Sequence, residues 1–105
     1  MSANAMIAYV DESLESLIPR YLARRAADVE ALRHAMQLGT FEEAKIIGHR
    51  LKGSGGGYGF DTITDIGATI ERAANESDQT TLSAATEELE EYLVKVEVVF
   101  VEEEE

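Results

Sequence analysis

Residues 45–60, KIIGHRLKGSGGGYGF, decide how this chain is read. Thr40 followed by Glu43 matches a capping box, so a helix is expected to start there and run to about Tyr58, with Gly59 closing it. Counting about 100° per residue from Ile47, Leu51 falls at about +40°, Ser54 at about −20° and Tyr58 at about +20°. Ile47, Leu51 and Tyr58 therefore form one narrow apolar stripe, which faces a core. On the same wheel Lys52 lies at about 140°, Lys45 at about 160°, Gly56 at about 180°, His49 at about 200° and Gly53 at about 240°. His49 points away from the core.

Four glycines in such a helix need a reason. Each costs roughly 0.8–1 kcal/mol relative to alanine, so Gly53, Gly55, Gly56 and Gly57 forfeit about 3–4 kcal/mol of the ~5–15 kcal/mol that stabilises a domain. Gly53 and Gly56, four and seven residues beyond His49, are read as lying on its face, where missing side chains leave the imidazole open to another macromolecule. Gly55, nearer the core edge, reads as a point of close helix–helix approach. Lys52 places a mobile ammonium beside whatever the imidazole carries, which suits a phosphoryl group.

The run His49-Arg50-Leu51-Lys52-Gly53-Ser54-Gly55-Gly56-Gly57-Tyr58-Gly59 resembles the signature of histidine-containing phosphotransfer (HPt) domains: His-x-Leu-Lys-Gly-Ser, small residues, then glycine ten positions after the histidine. The chain departs from that pattern at Gly57, where the family often has asparagine. This would alter a polar contact behind the helix and leave the histidine face intact. The resemblance implies that His49 is the phosphoacceptor, that Lys52 steadies the phosphoryl group, and that Gly53 gives it room.

Other chemistries fit poorly. A P-loop needs a lysine after its glycines and a strand before them, and the dinucleotide fingerprint Gly-x-Gly-x-x-Gly fails at Tyr58. A four-helix di-metal site needs Glu-x-x-His motifs, but the residues three before His34 and His49 are Ala31 and Ile46. No cysteine is present, which excludes disulfides and thiolate metal sites. His34 carries no sign of a chemical role. Glu71 reads as a capping or surface residue, and Arg72 as surface charge or a second cation near the site.

At 105 residues the sequence is expected to form one domain spanning 1–105. The fold class expected is all-α: an antiparallel up-and-down four-helix bundle with a short additional N-terminal helix. Asp11–Leu17 would be that short helix, and Pro19 fits the first turn of the next, which holds one face through Leu22, Val29, Leu32 and Met36 until Gly39 caps it. Asp61 would cap a third helix bearing Ile63, Ile66, Ile70 and Ala73. After a turn at 75–78, Asp78 would cap a fourth bearing Leu82, Ala85, Leu89, Leu93 and Val96. The β-branched run 94–101 fits an extended tail or a strand as well as a helix end. Residues 102–105, all glutamate, read as a disordered solubilising tail.

The net charge of −12 argues against nucleic acid and against an anionic membrane surface as partners. No apolar run reaches the ~18–20 residues of a membrane span and no secretory signal opens the sequence, so the expected location is the cytoplasm. Seven of the nine basic residues fall between Arg20 and Lys52, whereas residues 87–105 hold nine acids against Lys95 alone. The histidine thus sits in a mildly cationic region of an anionic protein.

The family resemblance implies a phosphocarrier without kinase activity of its own. The histidine accepts a phosphoryl group from an aspartate of a response-regulator receiver domain, or from a hybrid sensor kinase bearing one, and passes it on. No cofactor is expected on this chain, Mg²⁺ being held by the receiver. The rival reading is a helical-bundle adaptor that uses the same surface for binding without phosphorylation.

Overall fold

The computed structural model describes residues 6–102. Its body is four helices: α1 (Ile18–Leu38), α2 (Phe41–Ser54), α3 (Asp61–Asn75) and α4 (Gln79–Lys95). Contacts run from α1 to α2, α2 to α3, α3 to α4 and back from α4 to α1, so the four helices enclose one core. Phe60, Leu32, Leu51, Ile63, Ile70, Leu82 and Leu89 are fully buried there, each worth about 1.5–3 kcal/mol of apolar transfer. The glutamates at 103–105 lie outside the described residues.

Local rules place most boundaries. Pro19 sits in the first turn of α1, where its missing N–H leaves no gap in the helix. Gly39 ends α1 at φ +73°, a left-handed conformation that costs glycine little. Asp78 caps α4, its carboxylate accepting from the Thr81 backbone N–H at 3.1 Å. Two expected caps differ. The Thr40 hydroxyl donates to the Ala35 carbonyl rather than capping α2, and Asp61 lies inside the first turn of α3, with Phe60 at the cap position.

Three expectations are corrected. The helix bearing His49 stops at Ser54, not near Tyr58. The Gly55 carbonyl accepts from both Tyr58 and Phe60, the Gly56 N–H turns to the Thr64 hydroxyl, and the chain makes a single 3₁₀ turn at Gly56–Tyr58 before Gly59 reverses it at φ +94°. Second, the short N-terminal helix is 3₁₀, Glu12–Leu17, capped by the Asp11 carboxylate.

Third, the chain is not all-α. Strand β1 (Met6–Asp11) and strand β2 (Val96–Val101) form a two-stranded parallel sheet, with Met6 opposite Val96 and Asp11 opposite Val101. Val96, expected on the last helix, is the first residue of β2. Ala8 and Val10 point into the core while Ile7 and Tyr9 face out, the alternation that a half-buried strand requires. A Cβ at Gly59 would lie 2.6 Å from the Tyr9 carbonyl oxygen, so this glycine also permits β1 to close over the start of α3.

The packing that positions the functional site is the seam between α2 and α3. A Cβ on Gly48 would come within 2.6 Å of the Glu71 backbone nitrogen, and one on Gly67 would collide with the Lys52 backbone nitrogen. Glycine at both positions lets the two helices meet backbone to backbone. Gly55 contributes likewise, since its Cβ would lie 2.7 Å from the Phe60 carbonyl and the Thr64 hydroxyl.

Candidate functional site

His49 lies in the middle of α2 on the side opposite buried Ile47 and Leu51, and its side chain is 70% exposed. The close α2–α3 seam brings Glu71 beside it. Nδ1 of His49 is 3.0 Å from Glu71 Oε2, while Lys52 Nζ is 2.9 Å from Glu71 Oε1. One carboxylate therefore holds both side chains that the sequence singles out. An ionised carboxylate can only accept, so Nδ1 carries the hydrogen and the lone pair of the neutral ring stands on Nε2. Among the described residues none hydrogen-bonds Nε2.

Glu71 is held below the ordinary carboxylate range, chiefly by its hydrogen bond from Lys52; partial desolvation works in the opposite sense, and His49 adds to the lowering. The carboxylate is thus present at neutral pH and ready to face a positive ring. From the sequence Glu71 reads only as a capping or surface residue. The pertinent signal is glycine at positions 48 and 67, which decides how closely α3 approaches His49.

The two access glycines differ in their placement. At Gly53 a Cβ would meet nothing within 4 Å, so the surface one turn beyond His49 is bare. Gly56 lies beyond the end of α2 and does not share the histidine face. A Cβ there would make ordinary contacts with Asp61 and Thr64, and the residue borders a cavity with Ile7, Tyr9 and Tyr92. Open space likewise surrounds Gly57, so an asparagine there would project outward rather than behind the helix. His34 is exposed on α1, on a different helix from the site.

Around the ring the surface is mixed. His49 borders a depression of about 310 Å³ with Lys45, the half-exposed Ile46 and Arg50. On the other side of Glu71, Lys45, Lys52 and Arg72 line a second depression of about 370 Å³, so Arg72 does add a cation near the site. Arg50 reaches α1, where its guanidinium donates to buried Asp28 at 3.3 Å; Arg25 donates to the other Asp28 oxygen at 2.8 Å. Among the described residues no group of three or more His, Asp and Glu side chains is arranged to hold a metal ion. Among the described residues no helix is long and apolar enough to cross a membrane.

An outward imidazole with a free Nε2, a carboxylate behind it and cations on either side can accept and release a phosphoryl group. Comparison with known proteins agrees. The family model of the Hpt domain matches residues 16–98, which include all four helices and leave β1 outside. Searches of curated proteins and of solved structures found no match. On the extent of that family match, the chain belongs to the Hpt domain family, whose members are phosphocarriers in histidine phosphorelays.

Proposed function

We propose that His49 is the phosphorylated residue of this chain, receiving its phosphoryl group from the aspartyl phosphate of a receiver domain and passing it to another. The observation that carries this reading is the contact of Nδ1 with Glu71 on a ring that is otherwise open. The Nε2 lone pair attacks phosphorus in line, the bond from phosphorus to the aspartate oxygen breaks, and the aspartate leaves as a carboxylate. The ring keeps its Nδ1 proton and becomes positively charged. Glu71 faces that proton and offsets the charge as it develops. In the onward step the same events run backward, with the imidazole as leaving group.

Lys52 lies on Glu71 in the resting chain, on the same carboxylate that holds His49; it neutralises the phosphoryl oxygens in transfer. Gly53 leaves room for the incoming domain, and Ile46 supplies apolar contact. Gly56 has no part in access. Mg²⁺ belongs to the receiver, which brings it with the aspartate, and the chain itself acts in the cytoplasm as a carrier rather than a kinase.

The test is incubation with phosphorylated receiver domains. The wild-type chain takes up an acid-labile phosphoryl group and His49→Gln takes up none. Equal labelling of the two would overturn His49 as the acceptor, and absence of label from both would favour an adaptor that binds without being phosphorylated.

A further inference from the structure

A second basic feature lies between α1 and the end of α2. Arg20, Arg24 and Arg25 on α1, with Ser54 and Tyr58 from the end of α2 and the turn after it, line a cleft of about 200 Å³. Its floor is aromatic: Tyr21 stacks on Tyr58 with ring centroids 4.4 Å apart and on Phe60 at 5.5 Å. The Tyr21 hydroxyl and the Ser54 hydroxyl are 3.2 Å apart. Arg25 lies over the Tyr21 ring at 4.7 Å and is tied to Asp28, so one wall is fixed. Arg20 and Arg24 carry no ion pair to any described carboxylate, although the chain has a net charge of −12.

On so acidic a protein, two exposed arginines without a carboxylate partner, beside a fixed third, form a local cationic site open to an oxyanion. We infer that this cleft receives a carboxylate side chain from the surface of the receiver domain that exchanges phosphoryl groups with His49. This rests on the phosphocarrier reading above. Location selects the occupant. Ser54 is five residues beyond His49 on α2, about 7.5 Å along the axis and about 140° around it, a separation within the span of a protein interface of standard size, about 800 Å² per partner. The bare surface at Gly53 and Gly57 lies between and beside them, and Arg50 links the two through Asp28 and Arg25. A partner seated on His49 that extends over this bare surface reaches the cleft. Its acidic side chain there would set orientation and speed of encounter, leaving the chemistry to His49.

The test uses the full chain and, as probe, the receiver that transfers fastest to it from a panel charged with acetyl phosphate. Arg20→Ala/Arg24→Ala is expected to raise the KM for that receiver by about tenfold, to keep kcat within about twofold, and to flatten the dependence of kcat/KM on salt. Labelling of His49 by phosphoramidate needs no partner and reports separately on the ring. If the wild type fails to label, the phosphocarrier reading itself falls. If it labels and the double variant shows an unchanged KM, only the docking cleft falls; if it labels and no receiver in the panel charges it, the exchange with a receiver falls and the cleft with it. Loss of inorganic phosphate binding in the double variant with the receiver KM unchanged would make the cleft a free-anion site, which also overturns the assignment.

Discussion

His49 Nδ1 and Glu71 Oε2 stand 3.0 Å apart although 22 residues of chain separate them. The contact exists because α2 and α3 meet through glycine, and it decides which ring nitrogen is left to react. Glu71→Ala removes the acceptor and frees both tautomers. The rate of phosphotransfer to His49 should fall by about tenfold, in the range typical for removal of a residue that orients a functional histidine. Stopped-flow transfer from a charged receiver measures the rate, and ¹⁵N NMR of the ring measures the tautomers. An unchanged tautomer ratio would show that Glu71 does not orient the ring.

Glycines in the α2–α3 seam and on the outer face of α2 should respond in opposite directions. Gly48→Ala and Gly67→Ala force a methyl against the backbone of the facing helix, and each is expected to cost about 1–3 kcal/mol. Gly53→Ala meets open space in a helix and should gain up to about 1 kcal/mol. Thermal unfolding reads both, at roughly 4–8 °C per kcal/mol for a domain near this size. A lower Tm for Gly53→Ala would contradict the description of that face.

Access is a separate matter from stability. Gly53→Leu should leave the fold intact and block transfer from a receiver, while labelling by the small donor phosphoramidate continues. Transfer from the receiver at the wild-type rate would mean that the bare surface at Gly53 serves no docking purpose.

Glu71 titrates below its ordinary value of 4.5, with Lys52 as the leading cause. A lowered carboxylate contributes fully above the unfolded pKa and loses its contribution as pH falls through the folded one. The contact with His49 should therefore persist at pH 4.5 and be lost only in stronger acid as Glu71 gains its proton. Lys52→Met should shift the Glu71 midpoint upward, followed through the ¹³C shift of its carboxyl carbon. Identical midpoints in the two proteins would contradict the assigned cause.

What the sequence made legible was what short-range physics controls. Pro19, Gly39 and Asp78 mark helix ends by rules confined to a few residues, and the 3.6-residue period places His49 opposite Leu51. The end of α2 escaped notice because Gly55 to Gly59 fit a helix wheel; the turn is set by hydrogen bonds to Phe60 and Thr64, outside that window. The sheet was hidden for a related reason, since parallel strands at opposite ends of the chain have no local pairing signal. Glu71 needed the helix crossing, which single-helix periodicity does not describe.

The most direct test of the central claim is NMR of the phosphorylated chain, combining ³¹P with ¹⁵N-labelled histidine to locate the phosphorus on one ring nitrogen. The structure predicts a single phosphohistidine, at Nε2 of His49, with Nδ1 still protonated toward Glu71. Phosphorus on Nδ1 of His49, or on His34, would contradict the account.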